Sequence, residues 1–242
     1  MNPDLAGDVF VVVTSRGATD AADRRFLAAA AARVLGADPP GADPLAVRID
    51  RSCPHCGGQD HGRPLVAAPP GSTLGLLHVS LSRSDARLAC ALTFLGPVGV
   101  DIQSVAAVSR AGFDTVAFAP AELAALAELP PADVAGARAR LWTAKEAVLK
   151  CTGDGLRVDP RDLGVSLAGQ GAPRLDAWRE ARFPVAAMRL LGFNPGAGLV
   201  GTVAVLAEGR LSETAPTETR PEVRLVAAAD IRHRPSPHAG PT

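Results

Sequence analysis

Val98-Gly99-Val100-Asp101-Ile102 and, further on, Leu141-Trp142-Thr143-Ala144-Lys145-Glu146-Ala147-Val148-Leu149-Lys150 decide how this chain is read. The first is an apolar strand that ends on an acid; the second is a helix that carries one. Two carboxylates far apart in sequence, one on each element, suit a hard-metal site. On a helical wheel Val134, Ala137, Leu141, Ala144 and Val148 share a stripe that must face the core, and Glu146 and Lys150 lie roughly opposite. Their i,i+4 Glu-to-Lys order is the favourable one, although an exposed pair of this kind is worth only ~0.3–0.5 kcal/mol. Trp142, one turn before Glu146 on the same side, argues that this face is covered.

A lone Asp at a strand end is ordinarily a turn former or a helix cap. Here the preceding apolar strand would hold the Asp101 carboxylate at the C-terminal end of a sheet. Gly99 allows backbone or ligand to approach closely, and Gln103 shares the strand face of Asp101 by period two. Magnesium takes one or two carboxylates together with phosphate oxygens and water. Asp101 and Glu146 supply that number.

Outward from these motifs the chain alternates strands and helices. Strands are expected over 9–14, 45–50, 75–81, 87–95, 98–102, 164–167, 185–191 and 199–207. Helices are expected over 20–35, with Asp20 as cap and Gly36 ending it, over 120–129 behind Pro120, and from Asp133 to Gly153. A weak echo between 87–95 and 199–207 points to two related halves with a cleft between them. The expected fold is α+β: two pseudo-symmetric halves, each a small, mostly antiparallel sheet packed with a long helix. The expected boundaries are 1–98, 99–210 and a polar, Pro-rich disordered tail over 211–242.

The 242 residues carry 25 Lys plus Arg against 25 Asp plus Glu, so no global charge argues for nucleic acid or a membrane surface. No window reaches the ~18 consecutive apolar residues of a spanning helix. Met1-Asn2-Pro3-Asp4 lacks a basic leader. Cys53, Cys56, Cys90 and Cys151 do not read as a secreted disulfide framework in a chain this long. These features lead to the expectation of a cytoplasmic protein.

Gly99-Val100-Asp101-Ile102, a following acid at Glu122 in Phe118-Ala119-Pro120-Ala121-Glu122-Leu123, and Trp142-Thr143-Ala144-Lys145-Glu146-Ala147-Val148-Leu149-Lys150 together resemble the signature of the 4′-phosphopantetheinyl transferases, surfactin-synthetase-activating type. The resemblance runs from about Asp20 to Ala207. It implies transfer of phosphopantetheine from coenzyme A, as co-substrate, to a serine of an acyl or peptidyl carrier protein. By that resemblance Asp101 and Glu146 hold Mg²⁺, Glu122 matches the intervening acidic position, and Lys145 and Lys150 match two helix lysines. Glu146 would act as general base and Lys150 would offset charge on the leaving phosphate. Gln103 departs from the family, which usually carries Glu there. An amide oxygen is a weaker magnesium ligand, so direct and water-mediated contact both stay open.

Ser80-Leu81-Ser82-Arg83-Ser84 resembles the family's Asn-x-Ser-His-Ser strand end, with Arg83 in the histidine slot that meets a coenzyme A phosphate. Arg24 or Arg25 would approach the 3′-phosphate; Arg33 reads equally as surface solvation. Gly62-Arg63-Pro64 resembles the loop along the adenosine end, and is also an ordinary turn tripeptide. Phe113, Val116, Phe118 and Leu123 are the candidate carrier-protein patch, against ordinary core packing. The same resemblance leads to the expectation of a monomer.

Cys53-Pro54-His55-Cys56 with His61 offers three zinc ligands where a structural site wants four. A reduced thiol pair in a loop is the favoured reading over zinc at Cys53, Cys56 and His61. Two other functions use these residues differently: a magnesium-dependent phosphohydrolase of a coenzyme A or nucleotide pyrophosphate, and a binding protein organised around a zinc loop.

Overall fold

The computed structural model describes residues 8–35, 47–53, 55–59, 62–67, 76–169, 171–207 and 223–226. Strands β1 (Val9–Ser15), β2 (Arg48–Ser52), β3 (Arg63–Ala67), β4 (His78–Ser84) and β5 (Arg87–Thr93) join β11 (Val223–Val226) in a six-stranded sheet of order β11-β1-β5-β4-β3-β2. All its pairs are antiparallel except β1 with β11. Helix α1 (Asp20–Val34) covers one face. Its Ala-rich run favours helix, and Asp20 and Asp23 in the first turn complement the dipole. The cap is Thr19, whose hydroxyl accepts from Ala22 N at 3.1 Å, rather than Asp20 as the sequence led us to expect.

Period-two alternation divides this sheet into two faces. Val12, Cys90, Val79 and Leu92 pack on Leu27, Ala30 and Ala31 of α1. Val9, Val11, Ala89 and Ala91 pack the other way, on β6 (Val98–Ser104) and β10 (Leu199–Leu206) through Val98, Val100, Ile102, Val203 and Val205. These two strands, with β9 (Met188–Phe193), form a three-stranded antiparallel sheet of order β6-β10-β9.

Helices α2 (Val105–Ala111), α3 (Asp114–Ala117) and α4 (Pro120–Ala127) lead into α5 (Pro131–Thr152), which lies across β6 and β10. A Cβ at Gly99 would stand 2.0 Å from the carbonyl oxygen of Ala147, so glycine is what lets the helix lie this close to β6. Thr143 and Thr202 share a buried hydroxyl contact of 3.0 Å across the same interface. The other side of α5 (Leu141, Ala144, Val148) packs on Phe118, Leu126 and the hairpin of β7 (Leu163–Ala168) and β8 (Ala172–Trp178). Gly153, at φ 80°, ends the helix and donates to Leu149 O.

The α+β architecture of sheet-plus-long-helix halves is therefore present. The cover that Trp142 argued for is present, because two layers enclose α5, and Lys145 is fully buried as well. Within the expected tail, residues 223–226 form β11 beside β1; Gly36, His61 and the rest of 211–242 lie outside the described residues. β3, α2 and β8 were not anticipated. Among the described residues no helix is long and apolar enough to cross a membrane.

Candidate active site

Close packing of α5 on Gly99 brings its last turns beside Asp101. Asp101 is buried at 1% exposure. Lys150 Nζ donates to Asp101 Oδ1 at 2.6 Å, to Ser82 Oγ at 3.1 Å and to Val100 O at 3.3 Å, which uses all three ammonium protons. Ser82 Oγ donates to Asp101 Oδ1 at 2.7 Å, and Gln103 Nε2 donates to Oδ2 at 3.0 Å. Glu146, half-buried one turn before Lys150, accepts no hydrogen bond from another described residue. Burial, and then the negative charge of Asp101, push its carboxyl above the ordinary range; the charge of Lys150 opposes them in part. A strand acid, a helix acid and a lysine are thus gathered as the sequence led us to expect.

Two like carboxylates, one with its pKa raised by the other, form a place where a cation is favoured. The available donors are hard oxygens, and two carboxylates meet what magnesium asks of a protein. The residues fit that ion. Gln103 turns its nitrogen toward Asp101, so it acts here as a hydrogen-bond donor to the acid.

Glu122 and Lys145, expected as metal ligand and coenzyme A contact, pair with each other away from Asp101. Lys145 Nζ donates to Glu122 Oε2 at 2.5 Å, to Ala117 O at 2.8 Å and to Pro160 O at 2.9 Å. Glu122 Oε2 also accepts from Ala119 N, and Oε1 from Val165 N at 2.9 Å. Both side chains are buried, at 0% and 5% exposure, with every polar atom committed. Burial lowers the Lys145 pKa, while the hydrogen bond and charge of Glu122 oppose the shift. The pair ties α5 to α4 and to the loop at Pro160. The only two lysines of the chain therefore divide the work, one in the core and one at the site.

Arg24, Arg25 and Arg83 lie on the α1 side of the six-stranded sheet. Arg83 follows Ser82 on β4 and so points the opposite way, where its Nε donates to Asp23 Oδ2 at 2.5 Å. Asp23 also accepts from Gly17 N at 2.7 Å. Burial raises its pKa, but the Arg83 bond, the Gly17 amide and the charges of Arg83 and Arg16 outweigh that and hold it below the usual value. Arg24 and Arg25 are exposed. Asp23 was not singled out from the sequence, because nothing local marks an acid in a helix first turn as the partner of an arginine sixty positions away.

Arg63 faces the catalytic side: its Nη1 donates to Cys151 O at 3.1 Å, joining β3 to the end of α5. It also lines a cleft of about 1050 Å³ with Thr152, Asp154, Trp178, Arg182 and Arg189. Asp101, Glu146 and Lys150 do not line this cleft; it opens at the C-terminal end of α5, by Thr152 and Asp154. His55 lies in its wall with Nε2 3.0 Å from Asp154 Oδ1.

Cys53 is buried and Cys56 exposed, and none of the four cysteines is in a disulfide. His61 lies outside the described residues, and no cluster of three His, Cys, Asp or Glu side chains forms among the described ones. Of the expected carrier-protein patch, Phe118 is core at 1% exposure, and Phe113 stacks on Trp142 with ring centroids 4.8 Å apart. Leu123 packs on the same core, which leaves Val116 exposed.

The acid pair, Lys150 and the arginines of the neighbouring cleft are charges of the kind that suit a phosphate-bearing substrate. Residues 97–193 match the family model of the 4′-phosphopantetheinyl transferase superfamily. That stretch, which carries Asp101, Glu146 and Lys150, is similar to this superfamily. Comparison with curated proteins finds no match. Among solved structures, the chain is similar to an apo-ACPS described as from Chronobacterium ammoiniagenes, at 19% identity over 44% of this chain and 92% of that one, with a TM-score of 0.35. It is also similar to holo-[acyl-carrier-protein] synthase from Neisseria meningitidis, at 22% identity over 46% of this chain and 97% of that one, again with a TM-score of 0.35.

Proposed function

We propose that this chain transfers 4′-phosphopantetheine from coenzyme A to a serine hydroxyl of an acyl or peptidyl carrier protein, with Mg²⁺ as the metal. The gathering of Asp101, Glu146 and Lys150 at one point carries the reading. Asp101 and Glu146 would hold the ion, with Gln103 steadying Asp101. When bound, the ion supplies charge neutralisation at the diphosphate.

Glu146 is suited to take the proton of the attacking serine, because it stands beside Asp101 and Lys150 and accepts no hydrogen bond from another described residue. Lys150 holds a fixed positive charge beside Asp101 and stabilises negative charge that develops nearby. Its protons already have protein acceptors, so this effect acts through field rather than through a new hydrogen bond. The cleft at Arg63 would take the nucleotide end of coenzyme A, its volume being that of a small-molecule site. Arg24, Arg25 and Arg83 would contribute only at the α1 side, toward an outlying phosphate.

The carrier protein would approach near the exposed Val116 on α3. One chain provides Asp101, Glu146 and Lys150, so a monomer suffices. Four cysteines in a chain of this length do not read as a secreted disulfide framework, and we place the reaction in the cytoplasm.

Glu146→Gln tests the assignment of the base. It is expected to reduce transfer by at least ~100-fold with binding of coenzyme A retained. Full activity in that variant would remove Glu146 from the chemistry. Release of phosphopantetheine without carrier protein at the rate of transfer would point to hydrolysis instead.

A further inference from the structure

The outer edge of β6 needs partners. Its even-numbered amides point away from β10 and would be orphan donors at the rim of a three-stranded sheet. They find acceptors on β4, a strand of the other sheet. Ser80 Oγ accepts from Val100 N at 3.0 Å, Ser82 Oγ from Ile102 N at 3.3 Å, and Ser84 Oγ from Ser104 N at 3.0 Å. Each rung advances two residues on both strands. Three serine hydroxyls thus do across two sheets what carbonyls do within one. A slip of one residue would turn all three hydroxyls to the α1 face, so the ladder fixes the register between the halves.

Ser82 has a second attachment. Its hydroxyl donates to Asp101 Oδ1 at 2.7 Å and accepts from Lys150 Nζ at 3.1 Å as well as from Ile102 N. A hydroxyl has one proton and two lone pairs, so every capacity of Ser82 is used inside the protein. Nothing is left for a substrate phosphate. Ser80 and Ser84 make no such link to the acid.

We propose that Ser80, Ser82 and Ser84 form the joint that holds the two halves in register, and that Ser82 is a positioning residue for Asp101 and Lys150. The kinetic consequence rests on the phosphopantetheinyl-transfer reading; the joint itself does not.

Three single variants, Ser80→Ala, Ser82→Ala and Ser84→Ala, separate the parts of this proposal. Amide exchange followed by NMR is expected to quicken several-fold at the partner amide of each variant: Val100, Ile102 and Ser104 in turn. Lys150 has 32% side-chain exposure and Lys145 none, so acylation by a small amine reagent reads Lys150. It should rise in Ser82→Ala alone. In the transfer assay Ser82→Ala should lose about 10–100-fold in kcat with KM for coenzyme A changed less than about threefold, while Ser80→Ala stays near wild type; Ser82→Thr, which keeps the hydroxyl, should recover most of the loss. Where alanine at 82 compromises folding, Ser82→Cys, with its weak acceptor, is read in the same three ways. Exchange that does not follow the partner serine overturns the joint, and equal effects of Ser80→Ala and Ser82→Ala on acylation or kcat overturn the positioning role. A wild-type chain without transfer activity would sink the functional reading, while exchange and acylation would still decide the proposal.

Discussion

Lys150 Nζ and Asp101 Oδ1 stand 2.6 Å apart, joining the end of the long helix to the edge strand that Gly99 lets it approach. Asp101→Asn keeps the shape of the side chain and removes the charge that Lys150 faces. It is expected to lower transfer at least ~100-fold while far-UV circular dichroism stays that of the wild type. Transfer within a few-fold of wild type would mean that the Asp101 charge is not part of the chemistry.

The same approach makes Gly99 a packing position. A methyl group there would meet the backbone of Ala147 at 2.0 Å and of Cys151 at 2.5 Å, atoms that cannot swing aside. Gly99→Ala should destabilise the protein by about 1–3 kcal/mol or more, and reduce activity beyond what the lower stability explains. Denaturant unfolding checks the first effect and activity well below the melting temperature the second. An unchanged midpoint would contradict the packing account.

Removing one member of the buried Lys145–Glu122 pair leaves the other charged and enclosed. Lys145→Met and Glu122→Gln should each cost about 3–5 kcal/mol, and the double variant less than the sum of the two. A double-mutant cycle by denaturant unfolding measures the coupling. Additive losses would show that the two side chains act independently.

The Asp23 carboxyl has a lowered pKa in the folded protein. The native state therefore binds its proton less readily than the unfolded chain. The stability it contributes is full above the unfolded value of ~3.9 and is lost as pH falls through the lower folded value. Asp23→Asn should lower the melting temperature at pH 6 and make its decline between pH 5 and 3 shallower. A parallel decline in the two proteins would place the acid sensitivity elsewhere.

Local pattern made much of this legible from the residues alone. The alternation of Val98–Ile102 placed a strand carrying Asp101, although β6 runs on to Ser104 and holds Asp101 at its centre rather than its end; Trp142 signalled cover on its side of α5, and Phe113 packs against it. Lys145 borders the apolar stripe, four residues after Leu141 and three before Val148, so its wheel position already differed from that of Lys150; that it is core rests on the packing of α4 and Pro160. The pairings of Arg83 and Glu122 were not legible for a related reason. Their partners, Asp23 and Lys145, are remote in sequence, and motif position alone does not report which carboxylates are already satisfied. β11 escaped because its apolar residues lie in a polar, Pro-rich stretch, and pairing with β1 rather than local propensity makes it a strand.

The measurement closest to the central claim is the mass of an apo carrier protein after incubation with this chain, coenzyme A and Mg²⁺. The account predicts a gain of one phosphopantetheine group on the carrier serine, which disappears when Asp101 or Glu146 is replaced. No gain on acyl or peptidyl carrier proteins, from a chain shown to be folded, would contradict it.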